Sequence, residues 1–164
     1  MKKLSGNGIK ILKILHLIFA SMWLIGGVCM ILLLTTITPQ ESHEMYMLAV
    51  ILKQIDDWII VPGAMSCLVT GIVYGVWTNW GFFKHRWITV KWVMTVTMIL
   101  MGTFLMGPWV NDNVYTVDDI SNYTMDNSVF FSNNHKTVVL GSVQAVLLLV
   151  VVILSVLKPW KTKK

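Results

Sequence analysis

The sequence predicts an all-α integral membrane protein, a four-helix bundle with an additional interfacial helix between its first and second spans. Two features of composition and one of order support this. Hydrophobic residues make up 55% of the 164-residue chain and charged residues only 13%. The apolar residues also gather into four long runs separated by short polar links. A mean hydropathy of +0.68 excludes a water-soluble domain, and the chain reads as a single membrane domain, residues 1–164. The net charge of +5 does not imply nucleic acid. The basic residues flank apolar runs instead of forming a soluble basic face, which makes the lipid bilayer, with its anionic headgroups, the expected partner.

The first span, about residues 14–36, is long enough at about 1.5 Å per residue to cross a hydrocarbon core of roughly 30 Å. Lys10 and Lys13 precede it and no small-x-small cleavage site follows, so it reads as an uncleaved signal anchor. Near its start stands His16. Ala20, Trp23 and Gly27 follow at helical spacing, a stripe of small and aromatic side chains suited to packing against other helices. An ionisable residue on such a stripe is a candidate for function. The structural alternative is that His16 continues the cationic end of the helix and reaches the headgroups.

Thr38-Pro39-Gln40-Glu41 has the form of a capping box with proline at the first helical position, so a helix is expected from Pro39. Its apolar part, Met45 to Leu52, is too short to cross. Pro39 to Ile55 is therefore the interfacial helix, within an outer loop of about residues 37–57. The second span, about 58–80, contains Gly71-Ile72-Val73-Tyr74-Gly75, the spacing that lets two helices approach closely or form a homo-oligomer contact. Gly63, Ser66, Thr70, Tyr74 and Trp77 share its inward stripe, and Pro62 is placed in its first turns, where a missing donor is tolerated.

Lys84-His85-Arg86 turns the chain into a third span, about 87–109, which contains Lys91 with Thr95, Met98 and Gly102 in phase. Residues 111–136 are polar and read as an outer surface loop whose Val129-Phe130-Phe131 can dip into the interface. Asn122-Tyr123-Thr124 within it is a glycosylation sequon. The fourth span, about 137–157, has Gly141, Gln144 and Ser155 as its only small or polar points. Cys29 and Cys67 both lie in apolar runs and imply neither a disulfide framework nor a zinc site.

Charge orients the bundle. Of the basic residues only Lys53 and Lys136 fall on the outer side, and every acidic residue falls there too. Both termini are thus expected in the cytoplasm and the protein in the cytoplasmic membrane. His16 and Lys91 then sit at matching depth near the cytoplasmic ends of spans one and three. A neutral imidazole there is a good axial ligand for haem iron, and a lysine can neutralise a propionate or an acidic substrate group. The alternative for Lys91 is snorkelling. Trp23 and Met98 complete the candidate cofactor site, Met94 and Met98 being candidates for the opposite ligand. His85 reads as a solvated turn residue. On the outer face His43 and His135 are candidates for a second metal or haem site. His43, Met45 and Met47 also form a soft ligand set for copper(I), though on a helix the three do not share a face. No Gly-rich phosphate loop, nucleophile elbow or HExxH is present, so redox chemistry would need a bound cofactor.

Several stretches resemble one family. Lys10-Ile11-Leu12-Lys13-Ile14-Leu15-His16 with Trp23 and Gly26-Gly27 is similar to the first helix of the small membrane proteins that include HemJ-type protoporphyrinogen oxidases and the CopD-like copper-resistance domain. Ile55 to Gly71 with Pro62-Gly63, Trp87-Ile88-Thr89-Val90-Lys91 and Lys158-Pro159-Trp160 agree in order. The resemblance implies a four-helix bundle that in the HemJ branch binds b-type haem, with the first-helix histidine and third-helix lysine falling on His16 and Lys91. The chain departs from the HemJ pattern after Gly27, where Pro-Arg-Leu and a following histidine are absent. It departs again in the fourth span, with Gly141-Ser142-Val143-Gln144 in place of Asn-Glu-x-Pro. The expected function is therefore a b-haem membrane redox protein exchanging electrons with a quinone or small substrate, with Lys91 acting on the substrate. The alternatives are a CopD-type copper-handling protein and a non-catalytic subunit of a membrane complex.

Overall fold

A computed structural model describes residues 3–79, 81–118 and 127–158, all of them helical or in short links. Helix α1 spans Gly6–Thr36, α2 Ser42–Ile55, α3 Val61–Trp77, α4 Arg86–Met101, α5 Gly107–Asp118 and α6 Asn127–Leu157. Four stretches are long and apolar enough to cross a membrane: Gly6–Thr36, Ser42–Trp77, Arg86–Tyr115 and Ser128–Leu157. Their side chains are distributed as lipid requires. Ile11, Ile14, Leu17, Ile25, Phe104 and Val156 point outward, which water would penalise and hydrocarbon does not.

Helix α1 starts at Ser5, whose Oγ accepts from the Gly8 amide at 3.3 Å. It ends where Thr35 and Thr36 turn their hydroxyls back onto the Ile31 and Leu32 carbonyls at 2.7 and 2.6 Å, so their own polar groups are satisfied within the helix. Its neighbours are α3 on one side and α6 on the other, with α4 against α6 and, more lightly, α3. The α1–α3 contact is the most extensive in the bundle. A methyl group on Gly63 would lie 2.9 Å from the Trp23 backbone nitrogen and 3.1 Å from the Phe19 carbonyl. By contrast the Gly71/Gly75 pair receives aromatic rings: Trp92 lies over Gly71 and Phe82 over Gly75. The expected close helix approach therefore occurs about two turns earlier, at Gly63.

The second helix is continuous. Ser42 to Trp77 is helical throughout, with a π-helical turn at Asp56–Ile60 joining α2 to α3. Helix α2 begins later than the capping box at Thr38 predicts. Its start is at Glu41, and the Glu44 carboxylate accepts from the Gln40 and Glu41 amides at 2.7 and 3.4 Å. The third helix repeats the device, a π-helical turn at Gly102–Met106 joining α4 to α5. Each π turn ends two residues before a proline, Pro62 and Pro108. Proline cannot donate to the carbonyl four residues back and its ring crowds it, and a wider turn relieves both.

The polar stretch 111–136 is not a loop where it is described. Residues 111–118 and 127–136 are helical, and the sequon at Asn122 lies outside the described residues. Asn113 donates to the Asn134 side-chain oxygen at 2.8 Å and accepts from Asn133 at 3.1 Å. Polar residues that suggest a solvated loop thus tie α5 to α6. Phe130 is fully buried among Met30, Met45, Leu48, Leu52 and Val110, so it packs onto α2 instead of dipping into lipid. The protein has this core at one end and a second around Trp23, Ala64, Met98 and Leu148 within the bundle.

Candidate functional site

His16 lies on the face of α1 that meets α3. Its Nδ1 is 2.7 Å from the Thr70 Oγ1. That hydroxyl has a single proton, and its two closest carbonyls, Ser66 at 2.8 Å and Cys67 at 3.0 Å, are the backbone acceptors of its own helix. With the hydroxyl proton given to the backbone, Nδ1–H of His16 donates to Thr70, and Nε2 keeps its lone pair. Tyr74 stands edge-on to the imidazole at 5.8 Å, and Cys67 Sγ lies 3.8 Å from Nε2 and 3.9 Å from Nδ1. Trp92 closes the far side over Gly71.

Lys91 on α4 is close enough for its charge to be felt at both His16 and Cys67, and its Nζ sits 5.9 Å above the Trp87 ring. Thr70 and Cys67 are the partners sequence reasoning did not assign, although Thr70 stands on the inward stripe.

Trp23 and Met98, 4% and 0% exposed, are brought together about two turns further along α1 and α4, where they line a cavity of about 300 Å³ between α1, α3, α4, α6 and the two π turns. His16 and Lys91 are not among its walls. His43 and His135, the histidines expected on the outer face, are both exposed, and no three His, Cys, Asp or Glu side chains converge anywhere among the described residues. In the His43, Met45, Met47 set, Met45 is buried in the core while Met47 and His43 are exposed. His85 stacks near Trp87 at 6.3 Å.

The all-helical, four-span arrangement and the site within it define a multi-pass membrane protein with a polar cluster inside the bundle. Comparison with family models, curated proteins and solved structures finds no match. The likeness to HemJ and CopD therefore rests on the motifs alone.

Proposed function

We propose that the protein is a redox protein of the cytoplasmic membrane in which His16, through Nε2, is an axial ligand of a b-type haem. The observation that carries this reading is the Thr70 contact, because it ties down Nδ1 and leaves Nε2 for iron, the arrangement metal-ligating histidines use. Haem would supply one-electron chemistry, with a quinone or small substrate as the exchange partner. Lys91, at the same level, would hold a propionate or an acidic substrate group, since a charge at this depth costs a few kcal/mol on the roughly 2.5–3.5 kcal/mol insertion scale unless it is paired. The donor chemistry suits iron. Space is the demanding part: Tyr74, Cys67 and Trp92 crowd the imidazole, so a macrocycle reaches Nε2 only when these side chains turn aside.

In this reading both termini are cytoplasmic, following the distribution of lysine and arginine. Residues 39–55 lie at the outer interface. A 36-residue helix is about 54 Å long against a hydrocarbon core of roughly 30 Å, so its α2 end extends beyond the lipid.

The test is the absorption spectrum of the purified protein and of His16→Ala. A reducible Soret band that His16→Ala removes or shifts supports the assignment, and wild-type haem content in His16→Ala overturns it. A second reading, copper handling, is favoured by the Cys67–His16 juxtaposition, a thiol and an imidazole within 4 Å being a soft donor pair. A colourless protein that retains copper, and loses it in Cys67→Ser, would select this reading.

A further inference from the structure

The cavity beside Trp23 has features that neither the haem nor the copper reading uses. Both π turns open onto it: Asp56, Asp57 and Ile60 from the first, and Gly102, Thr103 and Met106 from the second. Such turns widen a helix locally and occur frequently at functional sites. Two glycines leave the cavity open, because a methyl group on Gly27 or Gly102 would meet nothing within 4 Å. At about 300 Å³ the space is at the lower end of ligand pockets, which suits a small molecule.

Its polar groups define the chemistry. Gln144 is 7% exposed, and its amide nitrogen donates to the Met98 carbonyl at 3.3 Å. Its carbonyl oxygen has no donor among the described residues, yet no fully enclosed side-chain oxygen there lacks a partner. The Gln144 oxygen therefore opens into the cavity it lines. Asp56 also lines the cavity, with no hydrogen-bond or ion-pair partner among the described residues. Asp57 is held by Lys53 at 2.9 Å, and the same ammonium donates to Asn111 at 2.8 Å. One lysine against two carboxylates leaves one negative charge over, and the chain's own ammonium already sits at this rim. The remaining walls are largely apolar, from Met30, Ile31, Met98 and Leu148, with Trp23, Thr103 and Asn111 bringing donor groups, so it is the surplus carboxylate that sets the preference for a cation.

We infer that this cavity binds a small amphiphilic amine, its ammonium on Asp56 and the Gln144 oxygen and its apolar body against Trp23, Met98 and Leu148. A half-buried carboxylate is a natural counter-ion for such a group, and an aromatic face adds cation–π attraction. His16 does not line the cavity, so this inference stands apart from the haem reading.

The experiment is calorimetric titration of the detergent-purified full chain with benzylammonium chloride and, separately, with benzyl alcohol, the nearest neutral analogue. Benzylammonium is expected to bind saturably and at least about tenfold more tightly than the alcohol. Asp56→Asn, which keeps the shape and removes the charge, should weaken it by at least about tenfold. Gly27→Leu should abolish binding by filling the space, with Gly102→Leu as the alternative if the first variant loses its helical signal or elutes as aggregate. Equal binding of the two probes, wild-type affinity in Asp56→Asn, undiminished binding in the folded glycine variant, or the absence of saturable heat each overturns the inference.

Discussion

At the scale of single residues, contact geometry separates glycines that sequence treats alike. Gly63 faces backbone atoms of α1 at 2.9 and 3.1 Å, whereas Gly27 faces open space. Gly63→Ala should therefore lower stability by about 1–3 kcal/mol, since helices that meet backbone to backbone can make room only by separating. Gly27→Ala should leave it nearly unchanged. Thermal unfolding in detergent reads both, and an unchanged midpoint for Gly63→Ala would falsify the close-approach argument. Thr70 tests the His16 assignment more finely than His16 itself. Thr70→Val removes the hydroxyl that orients the imidazole while retaining its size, so it should weaken haem affinity by about 10–100-fold, as loss of such supporting partners does. Haem titration of the apoprotein measures this, and wild-type affinity in Thr70→Val would leave the hydroxyl without the orienting role.

The two π turns are the distinctive features at the scale of elements. Each carries an extra residue between segments that pack well on either side: α2 and α5 in the end core, α3 and α4 in the bundle. Deleting Trp58, whose side chain is exposed, should convert the first π turn to regular α-helix and leave both segments in place. Deleting Val69 from α3 should rotate the remainder by about 100° and unseat the packing between Thr70 and His16. Monodisperse elution and a helical spectrum for the Trp58 deletion, with aggregation for the Val69 deletion, are the expected outcomes. The reverse pattern would mean that the turn is required for folding. Both turns were within reach of the sequence. Pro62 is expected in the first turns of a new span, but it stands deep inside a continuous helix, as Pro108 does, and a proline there favours a local widening.

For the whole molecule, the strongest expectation concerns topology. Single cysteines placed in a cysteine-free background at Asp112 and Lys163 should react differently with a membrane-impermeant maleimide added to intact cells. Asp112→Cys should label and Lys163→Cys should not, because nearly all the lysine and arginine falls on the side of the termini. External labelling of Lys163→Cys would invert the bundle and with it the cytoplasmic placement of His16 and Lys91.

The sequence by itself determined that the chain is helical and that four stretches can span a membrane. Each follows from local composition or from counting residues along a helix. It misjudged residues 111–118 and 127–136, because asparagines that usually solvate a loop here bond to one another across two helices. It could not reach the partners of His16 or the walls of the cavity. Thr70 and Cys67 are more than fifty residues from His16, and Asp56, Gln144 and Gly102 come from three different helices. Which faces of these helices meet depends on the backbone contact at Gly63 and on the extra residue in each π turn. Those contacts exist only once the helices have packed, so only the tertiary structure decided them.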